Sequence, residues 1–92
     1  DLLGRPAAFG SADLELIEGY VGGGYGVPSR AGQAAIHLVA GAEGLMLEPV
    51  YTAKAMAGLI ALVGRGRFRR EDNVVFIHTG GAPALHAYAD QF

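Results

Sequence analysis

Residues 74–85 read Val74-Val75-Phe76-Ile77-His78-Thr79-Gly80-Gly81-Ala82-Pro83-Ala84-Leu85. Four consecutive β-branched or aromatic residues predict a strand, and their continuity is what a strand shows when both sheet faces are covered. Thr79-Gly80-Gly81 turns the chain, and Ala84 to Ala89 predicts a short helix that tolerates Pro83 near its start. Strand, tight glycine turn and helix is the unit from which parallel α/β sheets are built. Ligands of such sheets bind beyond the carboxyl ends of the strands. Thr79 would offer a hydroxyl there, and Gly80 and Gly81 would let backbone approach a ligand. The following helix N-terminus would favour an anion. A tight turn without a ligand has the same spacing, so the residues leave both readings open.

Working backwards, Leu45-Met46-Leu47 is a second apolar run, ended by Pro49, and reads as a brief buried strand. It is flanked by two helices. Ser29 is a good N-cap for a helix from Arg30 to Ala42, with Ile36, Val39 and Ala40 on one face and Gly44 as the stop. A second helix is expected from Val50 to Val63, where Met56, Leu59, Ile60 and Val63 fall at i, i+3, i+4 and i+7. Gly64 and Gly66 end it. Gly22-Gly23-Gly24-Tyr25-Gly26 has four glycines in five positions and must be a loop with unusual dihedrals or a close approach. Leu14, Leu16 and Tyr20 hint at a short extended piece, and Gly4, Pro6 and Gly10 break what lies before it.

Helix, strand, helix, strand, helix implies right-handed crossovers on a parallel sheet. Two strands cannot form such a sheet alone. The fold class expected is therefore α/β: part of a parallel sheet flanked by helices, incomplete in these 92 residues. Composition agrees. Fifty-one per cent of the residues are hydrophobic and 17% charged, which is apolar for a chain that would bury only about 60–65% of its surface. The apolar excess calls for a covering layer.

A net charge of −2 argues against a nucleic-acid partner. The basic run Arg65, Arg67, Arg69 and Arg70 is followed at once by Glu71 and Asp72, as in a solvated turn. No apolar run reaches the roughly 18–20 residues that span a bilayer, so no membrane partner is expected. Nothing resembles a signal peptide, and the expectation is a cytoplasmic protein. With no cysteine there is no disulfide, thiolate metal site or cysteine nucleophile. His37, His78 and His86 show no metal-ligand spacing, so no metal is expected. His78 reads as a buried residue bonded to backbone. No serine elbow, P-loop or dinucleotide fingerprint is present.

Glu48-Pro49-Val50-Tyr51-Thr52-Ala53-Lys54-Ala55 repeats the strand-end-to-helix geometry and puts Tyr51 and Thr52 at the sheet edge that holds Thr79. With Tyr25 on the glycine loop, these groups would form a polar pocket over an apolar floor. Tyr51 as a core aromatic and Thr52 as a cap fit the same residues. Lys54, one turn into a helix, reads as solvent-facing or paired with Glu48 rather than as a cofactor-bonding lysine.

Three stretches together are similar to one family. Gly24-Tyr25-Gly26-Val27-Pro28, Glu43 to Ala55 and His78 to Leu85 resemble, in order and spacing, the C-terminal part of the D-cysteine desulfhydrase and 1-aminocyclopropane-1-carboxylate deaminase family. The resemblance runs from about Gly19 to Phe92. It implies a pyridoxal-phosphate enzyme of fold type II, like the tryptophan synthase β subunit, with residues 1–92 as the C-terminal part of its larger cofactor-binding domain. Tyr25 and Tyr51 look like the two active-site tyrosines flanking substrate and cofactor. Thr79, with Gly80, looks like the border of the cofactor ring near the pyridine nitrogen, and Thr52 follows Tyr51 where the deaminase branch has glutamate. Thr79 stands where that branch usually has leucine. Both departures point to the desulfhydrase branch.

The implied activity is α,β-elimination of D-cysteine, a small amino-acid substrate, to pyruvate, hydrogen sulfide and ammonia, by a parent enzyme that is a homodimer. Cysteate sulfo-lyase and the deaminase are the alternatives within the family. An inactive remnant or interaction module is the alternative of another class. The cofactor-bonding lysine, the serine–asparagine loop and the main phosphate loop lie outside this sequence in the family, so the 92 residues alone are expected to be inactive. Lys54 matches a family lysine that does not bond the cofactor.

Overall fold

The computed structural model describes residues 2, 4–6 and 8–92. Three α-helices follow one another, α1 over Arg30–Glu43, α2 over Thr52–Gly64 and α3 over Ala84–Ala87. Short 3-10 turns lie at Ser11–Asp13 and Ala89–Gln91. The two long helices begin and end for local reasons. Ser29 Oγ accepts the Gly32 N–H at 3.0 Å and caps α1. Gly44, at φ 66°, ends α1 with its N–H on the Ala40 carbonyl. The end of α2 is a Schellman turn: Arg67 N–H reaches back to Leu62 O and Gly66 N–H to Val63 O.

α1 packs on α2 through small residues. Ala35 and Ile36 from α1, Ala53 and Ala57 from α2, and Leu47 between them form the buried core, with Tyr20, Val39, Met56, Phe76 and Leu85 against it. Gly32 is part of this contact: a Cβ there would stand 2.9 Å from Ser29 Oγ and 3.6 Å from the Ala53 methyl. The amphipathic stripe expected of α2 is only half used. Met56 and Leu59 are half-buried, while Ile60 and Val63 are exposed. Small side chains let the two helix backbones approach closely, so they take the inner face and leave the large ones outside.

Neither expected strand forms. Among the described residues, no backbone hydrogen bond joins 45–47 or 74–77 to a neighbouring segment. The two runs do lie alongside each other, since His78 Nε2 meets Met46 O at 2.9 Å and Gly81 abuts Glu48. Both pairings advance in the same chain direction. A helix satisfies its backbone within itself, whereas a strand requires an adjacent backbone at ladder spacing. Val75 and Ile77 are accordingly 84% and 79% exposed. The last helix also stops at Ala87, short of the expected Ala89, and the chain closes in a 3-10 turn. A radius of gyration of 15.5 Å exceeds the roughly 12 Å of a compact domain of this length.

Candidate active site

The N-terminus of α2 is organised by Glu48, which is 1% exposed. Its carboxylate accepts the N–H groups of Val50 at 2.7 Å, Tyr51 at 2.9 Å and Thr52 at 2.6 Å. Thr52 closes the box: its hydroxyl accepts the Glu48 N–H at 2.9 Å and donates to Glu48 Oε1 at 3.2 Å. Burial alone would raise the carboxyl pKa. The bonds from Thr52, Val50 and Tyr51 favour the ionised form and hold it below the usual value. An anion fixed at the positive end of a helix is well placed electrostatically. It also fills the place where an exogenous phosphate would sit on α2.

Lys54, 8% exposed, departs from the expectation that it faces solvent or pairs with Glu48. Its ammonium donates to the carbonyls of Val21 at 2.6 Å and Gly24 at 2.9 Å. These belong to the glycine loop, where Gly22, Gly24 and Gly26 all have positive φ. Tyr88 donates to the Gly26 carbonyl at 2.8 Å.

The loop thereby presents Tyr25 to Tyr51. The two phenol oxygens are 2.5 Å apart, and the rings meet edge to face with centroids 5.9 Å apart. Both side chains are exposed, so Tyr51 is not the core aromatic that one reading allowed. The bond to Tyr25 raises the Tyr51 pKa, as do partial burial and the fields of the Tyr25 and Glu48 oxygens. Tyr51 therefore keeps its proton at neutral pH.

Thr79 and Gly80 are exposed on the following loop. His78 accepts the Gly80 N–H on Nδ1 at 3.1 Å, so its Nε2 carries the proton donated to Met46 O. It is bonded to backbone, as expected, though exposed rather than buried. Gly80 and Gly81 have φ of 95° and 89°, and a Cβ on Gly81 would come within 2.8 Å of Glu48 Cγ. The loop of Thr79 thus leans on the same carboxylate that orders Tyr51 and Thr52. Thr52 itself, 2% exposed, turns its hydroxyl to Glu48 and away from the open face. The helix after Thr79 is a single turn, too short for the anion site expected at its start.

Sequence reasoning missed Glu48, Lys54 and Tyr88. An acid just ahead of a helix start was a usable signal for the first. A lone lysine in an apolar helix, near a loop whose carbonyls need donors, was one for the second. Beside Tyr25 and Tyr51 runs an open groove of about 960 Å³ between residues 15–21 and α2, floored by Gly58, Leu59, Leu62 and Phe76. Among the described residues there is no cluster of metal-binding side chains and no helix long and apolar enough to cross a membrane.

The paired phenols of Tyr25 and Tyr51 stand at the start of α2, beside the open groove. The family profile described as pyridoxal-phosphate dependent enzyme matches residues 1–80, and the chain belongs to that family, whose fold is type II. It is similar to the D-cysteine desulfhydrases of Salmonella newport and Salmonella heidelberg, each 51% identical over 87 residues. That match covers 95% of this chain and 26% of either relative, so the chain spans about a quarter of their length.

The residues present fit pyridoxal phosphate on one side only. The one lysine of the sequence has its ammonium held by two carbonyls, and the α2 N-terminus is occupied by Glu48. The groups left with exposed side chains or backbone are the Tyr25–Tyr51 pair and the Thr79–Gly80 loop.

Proposed function

We propose that the protein carrying this chain is a pyridoxal-phosphate-dependent carbon–sulfur lyase that converts D-cysteine and water to pyruvate, hydrogen sulfide and ammonia. Residues 1–92 are read as the C-terminal part of its larger cofactor-binding domain. The runs 45–47 and 74–77 are read as strands of a parallel sheet whose other members lie in the remaining sequence. The observation that carries the reading is the 2.5 Å phenol pair of Tyr25 and Tyr51, at the helix start that Glu48 orders and against which Gly81 of the Thr79 turn is packed. The similarity to D-cysteine desulfhydrases supports the substrate.

Pyridoxal phosphate, when bound, supplies the electron sink that makes the substrate α-proton removable and allows sulfide to leave. Tyr51 Oη, protonated at neutral pH, suits the role of an acid beside the departing sulfur, and Tyr25 Oη holds it in place across the short bond. Thr79 would offer the ring a neutral hydroxyl, where a carboxylate would make a stronger sink. Gly80, at φ 95°, lets the backbone approach the ring edge. Thr52 supports this side indirectly, buried with its N–H and hydroxyl bonded to Glu48 at the helix start that carries Tyr51. The same reading makes the enzyme a cytoplasmic homodimer.

The test is sulfide release from D-cysteine by the full-length protein, compared with release of sulfite from cysteate and deamination of 1-aminocyclopropane-1-carboxylate. D-cysteine is expected to be the best substrate, and Tyr51→Phe to lower kcat by on the order of 100-fold. Thr79→Leu should depress sulfide release. Preference for either other substrate would move the assignment to that branch, and no turnover of any would leave the fold without this chemistry.

A further inference from the structure

The chain's only lysine is nine-tenths buried and takes no part in the roles assigned above, yet it sits one helical turn from Tyr51. We propose that Lys54, assisted by Tyr88, is a positioning residue that clamps the glycine loop by its carbonyl oxygens and so sets Tyr25 against Tyr51. This inference deepens the proposed lyase reading and rests on it for its meaning in catalysis, while the geometry stands on its own.

A loop with three positive-φ glycines has little intrinsic preference for one shape. Inside it only one backbone bond forms, Val27 N–H to Gly24 O at 3.2 Å. Three of its carbonyls are instead held from outside: Val21 and Gly24 by the Lys54 ammonium, and Gly26 by the Tyr88 phenol. Gly24 and Gly26, whose carbonyls are held, are the neighbours of Tyr25 in the chain. Lys54 and Tyr51 leave the same end of α2, so one rigid turn of helix carries both the second phenol and the clamp that delivers the first. The ammonium is desolvated, and charge-assisted bonds to carbonyls are the stronger kind. A phenol pair 2.5 Å apart tolerates little displacement, and a shift of about 1 Å in a reacting group can cost on the order of 100-fold in rate.

Two roles for Lys54 give opposite signs. If its charge merely acts on Tyr51 through space, removing it raises the phenol pKa. If it positions Tyr25, removing it breaks the bond that raises the Tyr51 pKa, and the value falls.

The experiment is a titration of Tyr51, followed by ¹³C NMR of ring-labelled tyrosine in the full-length protein, for wild type, Tyr25→Phe, Lys54→Met, Lys54→Arg and Tyr88→Phe. Tyr25→Phe defines the value without the pair. Lys54→Met is expected to shift Tyr51 down to that value, Tyr88→Phe to shift it part of the way, and Lys54→Arg to restore most of it. In the same proteins kcat/KM should fall by on the order of 10- to 100-fold for Lys54→Met, and the double variant with Tyr25→Phe should lose little more. An unchanged or raised Tyr51 value in Lys54→Met overturns the proposal, as does a loss that adds in full to that of Tyr25→Phe. Should Lys54→Met fail to fold, Tyr88→Phe decides by the same criterion. The titration needs no substrate, so failure of the lyase reading leaves its outcome legible.

Discussion

The helix pair with its glycine loop and the run from Val74 to Thr79 differ in where their polar groups find partners. From Gly22 to Arg67, helix ends are capped by Ser29, Gly44 and Gly66, the α2 N-terminus is closed by Glu48, and the loop carbonyls are held by Lys54 and Tyr88. Among the described residues, no buried side-chain nitrogen or oxygen lacks a partner. From Val74 to Ile77 the chain is as apolar as a core strand, yet only Phe76 packs against the core and the rest stands in solvent with no ladder. Local and short-range tertiary bonds complete a helix within the chain that carries it. A strand is completed only by its neighbour.

The sharpest way to break this contrast is Val75→Lys in the full-length protein. If the run is a strand covered on both faces there, a buried unpaired charge should cost about 3 kcal/mol or more, read from the denaturation midpoint. A change within about 0.5 kcal/mol would mean that Val75 stays as exposed as it is in this chain, and the contrast would vanish. On the other side, Glu48→Ala strips the acceptor from three α2 amides and the partner from Thr52, and should cost about 2–4 kcal/mol. Glu48→Gln should lose less, because it keeps one acceptor oxygen.

Acid tests the same residue more gently. The folded Glu48 carboxyl has a lowered pKa, so its stabilisation is complete above the ordinary glutamate value of about 4.3 and is lost as pH falls through the lower folded value. Melting temperature followed from about pH 6 to pH 3 should drop more steeply in wild type than in Glu48→Gln. A parallel decline in both would mean that Glu48 is not ionised in the fold. The smallest effect is expected at Ser29→Ala, about 1 kcal/mol for one lost N-cap.

What was legible in the sequence follows the same division. Caps and glycine stops are local, and the bounds of α1 and α2 came within about two residues of those expected. Tyr51, Thr52 and Thr79 are expected at one sheet edge with Tyr25 on the glycine loop; the structure brings the two tyrosines into contact and leaves Thr79 and Gly80 exposed on their own loop. The buried polar set was hidden because its bonds join residues far apart in the chain, Lys54 with Val21 and Tyr88 with Gly26. Thr52 was ambiguous for a physical reason: a hydroxyl at a helix start serves a cap and a ligand equally well until Glu48 is seen to occupy it. The apolar runs were read as strands from their composition, and composition says nothing of whether the partner backbone is at hand.

The wall-without-lysine assignment is tested most directly by trapping the cofactor. Full-length protein loaded with pyridoxal phosphate is reduced with borohydride, digested, and mapped by mass spectrometry. The reduced cofactor is expected on a lysine outside residues 1–92, with Lys54 unmodified. A cofactor found on Lys54 would contradict both the clamp and the division of the site proposed for this chain.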